Sequence, residues 1–147
     1  MISIQMERVE GDFGFEARDQ NGHLLRMDSS TEHGGNGSGL RPMQVLLAAL
    51  GGCSAIDVVS ILKKQRQSIE SFKIKIEGER EEGTTPSLWK KVKINFDLAG
   101  AIDADKAKKA CALSIEKYCS VAETLRRAGA EIRWDLNVHH TIKQNEL

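Results

Sequence analysis

From Pro42 to Leu62 the chain carries one charge, Asp57, in a run otherwise apolar, small or uncharged. Proline suits the first position of a helix, where a missing N–H costs nothing. The helical pattern continues to about Arg66, and Lys63, Lys64 and Arg66 in its last turns suit the helix dipole. Its first four turns are apolar on nearly every side and so need cover on nearly every side. A chain of 147 residues is the size of one domain and is too small to wrap such a helix alone. A second copy is expected to supply the cover, in an intimate homodimer. Gly51 and Gly52, inside the helix, each cost about 1 kcal/mol relative to alanine. They predict that another backbone or a ligand comes close beside Cys53.

The segments on either side read as strands and shorter helices. Ile2, Ile4 and Met6 alternate as in a strand. Phe13 to Arg18 and His23 to Met27 flank Asn21-Gly22, a dipeptide suited to a type I′ hairpin. These N-terminal strands fill residues 2–28. Ser29 to Gly39, rich in glycine and serine, predicts a mobile loop. Ser71 to Glu79 and Trp89 to Leu98 alternate apolar and charged residues around a turn at Gly83–Pro86, as antiparallel partners within 71–98. Asp103 is placed to cap a helix over about 103–117. A further helix over about 119–128 ends at Gly129. A last strand, 131–139, turns Ile132, Trp134, Leu136 and Val138 inward. The order specifies a single α+β domain over 1–147, with antiparallel sheets packed on a long central helix.

Lys+Arg and Asp+Glu balance at 21 each, which leaves no electrostatic footprint for nucleic acid or an anionic membrane. Met1 to Gln5 lacks the basic and apolar regions of a signal peptide. Gln44 and Asp57 interrupt the apolar run, which argues against a membrane span. The default address is therefore the cytoplasm. Thiols there are kept reduced, so three cysteines do not form a disulfide framework.

Cys53 and Cys119 each stand near a helix. They can be small hydrophobes in a core. They can also be a peroxidatic and resolving pair, in which a thiolate becomes sulfenic acid and the second thiol condenses with it. Such a thiol needs a lowered pKa, and Asp57, one turn from Cys53, works against that unless a cation neutralises it. Cys111 lies among alanines and reads as buried. His33, in a glycine-rich segment, lacks the Lys-Ser/Thr of a phosphate loop. His139-His140 lacks metal-ligand spacing, so no metal site is expected. The Lys/Glu run from Lys73 to Glu82 reads as a solvated strand face, and Trp89 and Trp134 read as core.

The run from Pro42 to Leu62, with Gly51-Gly52-Cys53 at its middle, resembles the central helix of the OsmC/Ohr family, and most closely its OsmC-like branch. Glu116-Lys117-Tyr118-Cys119-Ser120-Val121 is similar to the family's second-cysteine motif. The order of elements matches over essentially the whole chain. The resemblance implies an interlocked dimer with sites at the subunit interface and no cofactor. It implies Cys53 as the peroxidatic and Cys119 as the resolving residue of a thiol-dependent peroxidase acting on organic hydroperoxides and regenerated by a dithiol. Gln44, Leu50 and Asp57 are the residues expected around the substrate, and an apolar wall of Val45, Leu46, Leu50 and Ile56 favours organic hydroperoxides. The chain departs from the family pattern in two places. Met43, not glutamate, follows Pro42, and Gln44 occupies the next position, where related sequences carry glutamate. No arginine falls near Phe13 to Phe15, which leaves Arg8, Arg18, Arg26 and Arg41 as substitutes. A non-enzymatic dimer that binds a small apolar or thiol-reactive ligand is the alternative these departures favour, and a redox sensor in which a Cys53–Cys119 disulfide changes a partner contact is a third reading.

Overall fold

The computed structural model describes residues 1–141. They divide into two compact units, Met1–Leu46 and the chain from Leu47 onward.

In the first unit, β1 (Gln5–Glu10), β2 (Gly14–Arg18) and β3 (Leu24–Met27) form an antiparallel meander. β2 pairs Phe15 with Met27 and Arg18 with Leu24. The connection is longer than the two-residue turn that Asn21-Gly22 suggested. Asp19 closes it, accepting hydrogen bonds from the Asn21 and His23 N–H groups at 2.9 and 2.8 Å. Gly22 supplies the left-handed residue at φ 85°. An aspartate that hydrogen-bonds the backbone a few residues on builds a turn of its own, and here it displaces the simpler one.

The glycine-rich segment after β3, read from its composition as a mobile loop, closes on the carboxylate of Asp28. The Asp28 carboxylate is 2% exposed. It accepts from Ser29 N–H at 2.7 Å, Asn36 N–H at 3.2 Å, Ser38 N–H at 3.2 Å and the Ser38 hydroxyl at 2.9 Å. Burial alone would raise its pKa, but the donors from Ser38, Ser29 and Asn36 outweigh it and hold the carboxyl below its ordinary value. Gly35 is required here, because a Cβ would lie 2.1 Å from the Ser29 carbonyl oxygen.

Helix α1 (Pro42–Lys64) starts in the first unit and continues into the second. Gln44 Oε1, on the third helical residue, accepts the Arg41 N–H at 3.0 Å, the reach-back half of a capping box. Among the described residues α1 is the one helix long and apolar enough to cross a membrane. Its Leu50, Ser54, Val58 and Leu62 are fully buried, on one stripe at helical spacing.

The second unit holds β4 (Ser68–Arg80), β5 (Trp89–Ala101), α2 (Ala104–Leu113), α3 (Ser120–Arg127) and β6 (Glu131–His140). β4 pairs antiparallel with β5, as the short turn at Gly83–Pro86 predicted. β6 pairs with β5 in parallel, from Lys91↔Glu131 to Gly100↔His140. The sheet is therefore mixed, which corrects the all-antiparallel expectation. The reason is the connection: parallel strands need a crossover of a dozen or more residues, and α2 and α3 provide it. β5, in the middle, buries Val92, Ile94, Phe96 and Leu98. The Phe96 ring lies 6.2 Å from that of Phe72 on β4 and 6.3 Å from that of Trp134 on β6. These side chains join Leu50, Val58 and Leu62 of α1 and Ile115, Ala122 and Leu125 in one core.

Candidate functional site

The second unit brings together the two cysteines that lie far apart in sequence. The Sγ atoms of Cys53 and Cys119 and a carboxylate oxygen of Asp57 all lie within 4.8 Å of one another. Cys53 is half-buried on α1, with Asp57 one turn later on the same helix. Cys119 is 2% exposed.

Cys119 owes its position to an irregularity. The helix expected over 103–117 begins as expected, with Asp103 accepting from Lys106 N–H at 2.9 Å. It then widens into a π turn over Ser114–Tyr118, closed by Cys119 N–H donating to the Ser114 carbonyl at 2.7 Å. Single π turns of this kind are frequent at functional sites. Cys119 leaves the helical path at φ −72°, ψ 103° and becomes the N-cap of α3. Its sulfur, in place of the usual oxygen, accepts the Ala122 N–H at 3.4 Å. α3 ends as expected at Gly129, whose φ is 103°. Arg126 Nη1 donates to the Ile115 carbonyl at 2.8 Å and ties the far end of α3 to the π turn.

Ser114 fixes the carboxylate. Its hydroxyl donates to Asp57 Oδ2 at 2.9 Å and lies 3.4 Å from the Ser54 carbonyl oxygen. Ser54 is self-contained, its hydroxyl donating to the Leu50 and Gly51 carbonyls at 2.8 and 3.1 Å. Ser114 and Arg126 were not among the sequence candidates. A serine inside an alanine-rich helical pattern, one helical turn before a cysteine motif, was the available signal for the first; nothing marked the second.

The thiols differ by environment. Burial pushes the Cys119 thiol up to about 11 and the adjacent Cys53 sulfur pushes it the same way, against the Ala122 and Val121 N–H groups. Burial alone pushes Cys111 up to about 12, and that thiol sits in the core as its alanine neighbours predicted. Leu50, expected beside substrate, is fully buried in the same core. Gln44 caps the start of α1. His139 faces Asp97, with Nε2 2.8 Å from Oδ1. His33 Nδ1 pairs with the Ser30 hydroxyl at 2.7 Å.

A groove of about 410 Å³ opens beside Asp57, lined mainly by apolar surface that includes Ile61, Leu113 and Tyr118, with Lys64 at its edge. The arrangement offers two sulfurs and a hydrogen-bonded carboxylate within 4.8 Å of one another, with an apolar groove beside the carboxylate.

Residues 35–135 match the family model described as OsmC-like protein. The chain is 40% identical over 128 residues to Protein YhfA of Escherichia coli strain K12, covering 86% of this chain and 91% of that protein. It resembles the crystal structure of a hypothetical protein from Aquifex aeolicus VF5 with a TM-score of 0.77 and 28% identity, over 95% of this chain and 98% of that one. An organic hydroperoxide resistance protein OsmC from Legionella pneumophila shares the fold with a TM-score of 0.67 at 17% identity, over 92% of this chain and 97% of that one.

Proposed function

The chain belongs to the OsmC-like protein family, and on that premise we propose that it is a thiol-dependent peroxidase that reduces organic hydroperoxides. The observation that carries this reading is the approach of the Cys53 and Cys119 sulfurs to within 4.8 Å. The half-buried Cys53 attacks as thiolate at the distal oxygen of the hydroperoxide. The O–O bond breaks, the alcohol leaves with a proton, and Cys53 becomes sulfenic acid. The Cys119 sulfur then attacks that sulfur and releases water, leaving a disulfide. A dithiol in the cytoplasm reduces the pair again. Asp57 lines the apolar groove and lies within 4.8 Å of both sulfurs, so a hydroperoxide whose apolar tail occupies the groove reaches Cys53 past it, and Gln44 and Leu50 shape the helix that presents Cys53.

The working unit is a homodimer. On α1, Gly52, Ile56 and Val59 are exposed, and Ile56 is 69% accessible. A second copy covers this face, consistent with a helix that is apolar on nearly every side.

The test is thiol titration after stoichiometric cumene hydroperoxide, with time. Loss of two thiols per chain, abolished in Cys53→Ser and converted to stable sulfenic acid in Cys119→Ser, is expected. Survival of both thiols through minutes of exposure refutes the peroxidase.

A further inference from the structure

We propose that the reduced site binds a single thiophilic divalent cation of the zinc class through Cys53 Sγ, Cys119 Sγ and Asp57. This assignment does not depend on peroxidase activity, since it requires only the three donors in their reduced state.

The donors lie within 4.8 Å of one another. In a tetrahedral zinc site, with Zn–S about 2.3 Å and Zn–O about 2.0–2.2 Å, donor atoms sit roughly 3.5–3.8 Å apart. Side-chain rotation of Cys53 and Asp57 on one helix, with Cys119 held at its cap, closes a gap of that size. Two thiolates and a carboxylate cancel the charge of a divalent ion and leave one negative charge. Two sulfur donors select a soft or borderline cation over Mg²⁺ or Ca²⁺.

The surroundings supply what such ligands need. The Ser114 hydroxyl orients the carboxylate by donating to Asp57 Oδ2 at 2.9 Å, the kind of outer hydrogen bond that sets ligand direction. The Ala122 N–H, 3.4 Å from Cys119 Sγ, donates to the sulfur and fixes its direction. Three protein donors leave the fourth position open, as in catalytic rather than structural zinc sites. Sequence spacing hid the set, because Cys119 comes from an element remote from the Cys53–Asp57 turn.

Reduced, chelator-stripped protein titrated anaerobically with Co²⁺ tests the proposal. We expect one ion per chain, a near-ultraviolet thiolate-to-cobalt charge-transfer band, visible bands of tetrahedral intensity, and bleaching by Zn²⁺. Cys111→Ser keeps the spectrum. Wild-type protein oxidised with diamide to the Cys53–Cys119 disulfide loses it, which keeps the test independent of whether variants fold. Ser114→Ala weakens Co²⁺ binding by about tenfold while retaining the charge-transfer band. Absence of the band at saturating Co²⁺, or its persistence after diamide oxidation, overturns the assignment. A peroxidase that shows no such band would leave the activity standing and remove the metal site.

Discussion

Ser114 on the π turn donates its hydroxyl hydrogen to Asp57 on α1, at 2.9 Å and across 57 positions of sequence. This bond and the longer contact of the same hydroxyl with the Ser54 carbonyl, at 3.4 Å, link the two segments that carry the cysteines. A hydrogen bond to a charged group is worth about 1.5–3 kcal/mol, and the half-buried Asp57 regains part of that from water when its donor is removed. Ser114→Ala should therefore lower stability by about 1–2 kcal/mol, and Asp57→Ala by less, because the remaining hydroxyl still has the Ser54 carbonyl within 3.4 Å. The double variant should show a coupling energy of about 0.5–3 kcal/mol in urea titrations. Simple additivity would mean that the bond does not join the segments.

The three thiols should react in order of access. Cys53 is half-buried, while burial pushes Cys119 to about 11 and Cys111 to about 12. Thiolate is the nucleophile, so brief iodoacetamide treatment of the reduced native protein near neutral pH should alkylate Cys53 first. Peptide mass spectrometry reads the order. Early modification of Cys111 would contradict its placement in the core.

Cys111 also predicts a pH dependence of stability. Its thiol pKa rises from 9.0 to about 12 on folding, so the folded state holds the proton more tightly than the unfolded chain. The stabilisation is complete below about 9 and is lost as pH rises towards 12. The urea midpoint should fall over that window. In Cys111→Ala the fall should be shallower, although the variant starts lower because of the cavity. Parallel curves for the two proteins would show that the thiol does not titrate with unfolding.

Much of the framework was legible because it follows from short-range rules. Alternation placed β4, β5 and β6 on the right residues, though β4 and β5 extend past the expected ends, and Asp103 and Gly129 marked helix ends through their capping chemistry. The two cysteines were legible as a pair through the resemblance they carry. The direction of β6 was not, because alternation specifies a face and leaves the pairing direction open. The break at Ser114 was not legible either: Ser114-Ile115-Glu116-Lys117 continues a good helical pattern, and the π turn is decided by where α3 and Arg126 hold the chain. Asp28 shows the same limit, since four donors from a segment of small residues become a network only after the loop closes on a buried carboxylate.

That network makes its own prediction. Asp28 is held below its ordinary pKa of 3.8 by its donors, so its contribution is present above that value and fades as pH falls through the lower, folded value. Asp28→Ala removes the acceptor from three backbone N–H groups. Amide exchange at Asn36 and Ser38 should quicken sharply in this variant, and Asp28→Asn, which keeps one acceptor oxygen, should fall between. In the wild type, protection of these amides relative to the second unit should drop only in strong acid. Unchanged exchange in Asp28→Ala would show that other contacts hold the loop.

Ile56 tests the dimer. On an open helix surface, Ile56→Lys would change stability by no more than about 0.5 kcal/mol, because a lysine there meets water. Against a second copy of the chain it buries an unpaired charge, which costs far more than the apolar contact it replaces. Ile56 is 69% exposed in the single chain, so the chain alone gives little reason for loss. We expect the wild type to sediment as two chains, with a thermal midpoint that rises with protein concentration. Ile56→Lys should sediment as one chain and melt at a lower, concentration-independent temperature. A wild-type mass of one chain, or a variant that keeps both the mass and the midpoint of the wild type, would leave this face of α1 open to solvent and remove the homodimer from the proposed mechanism.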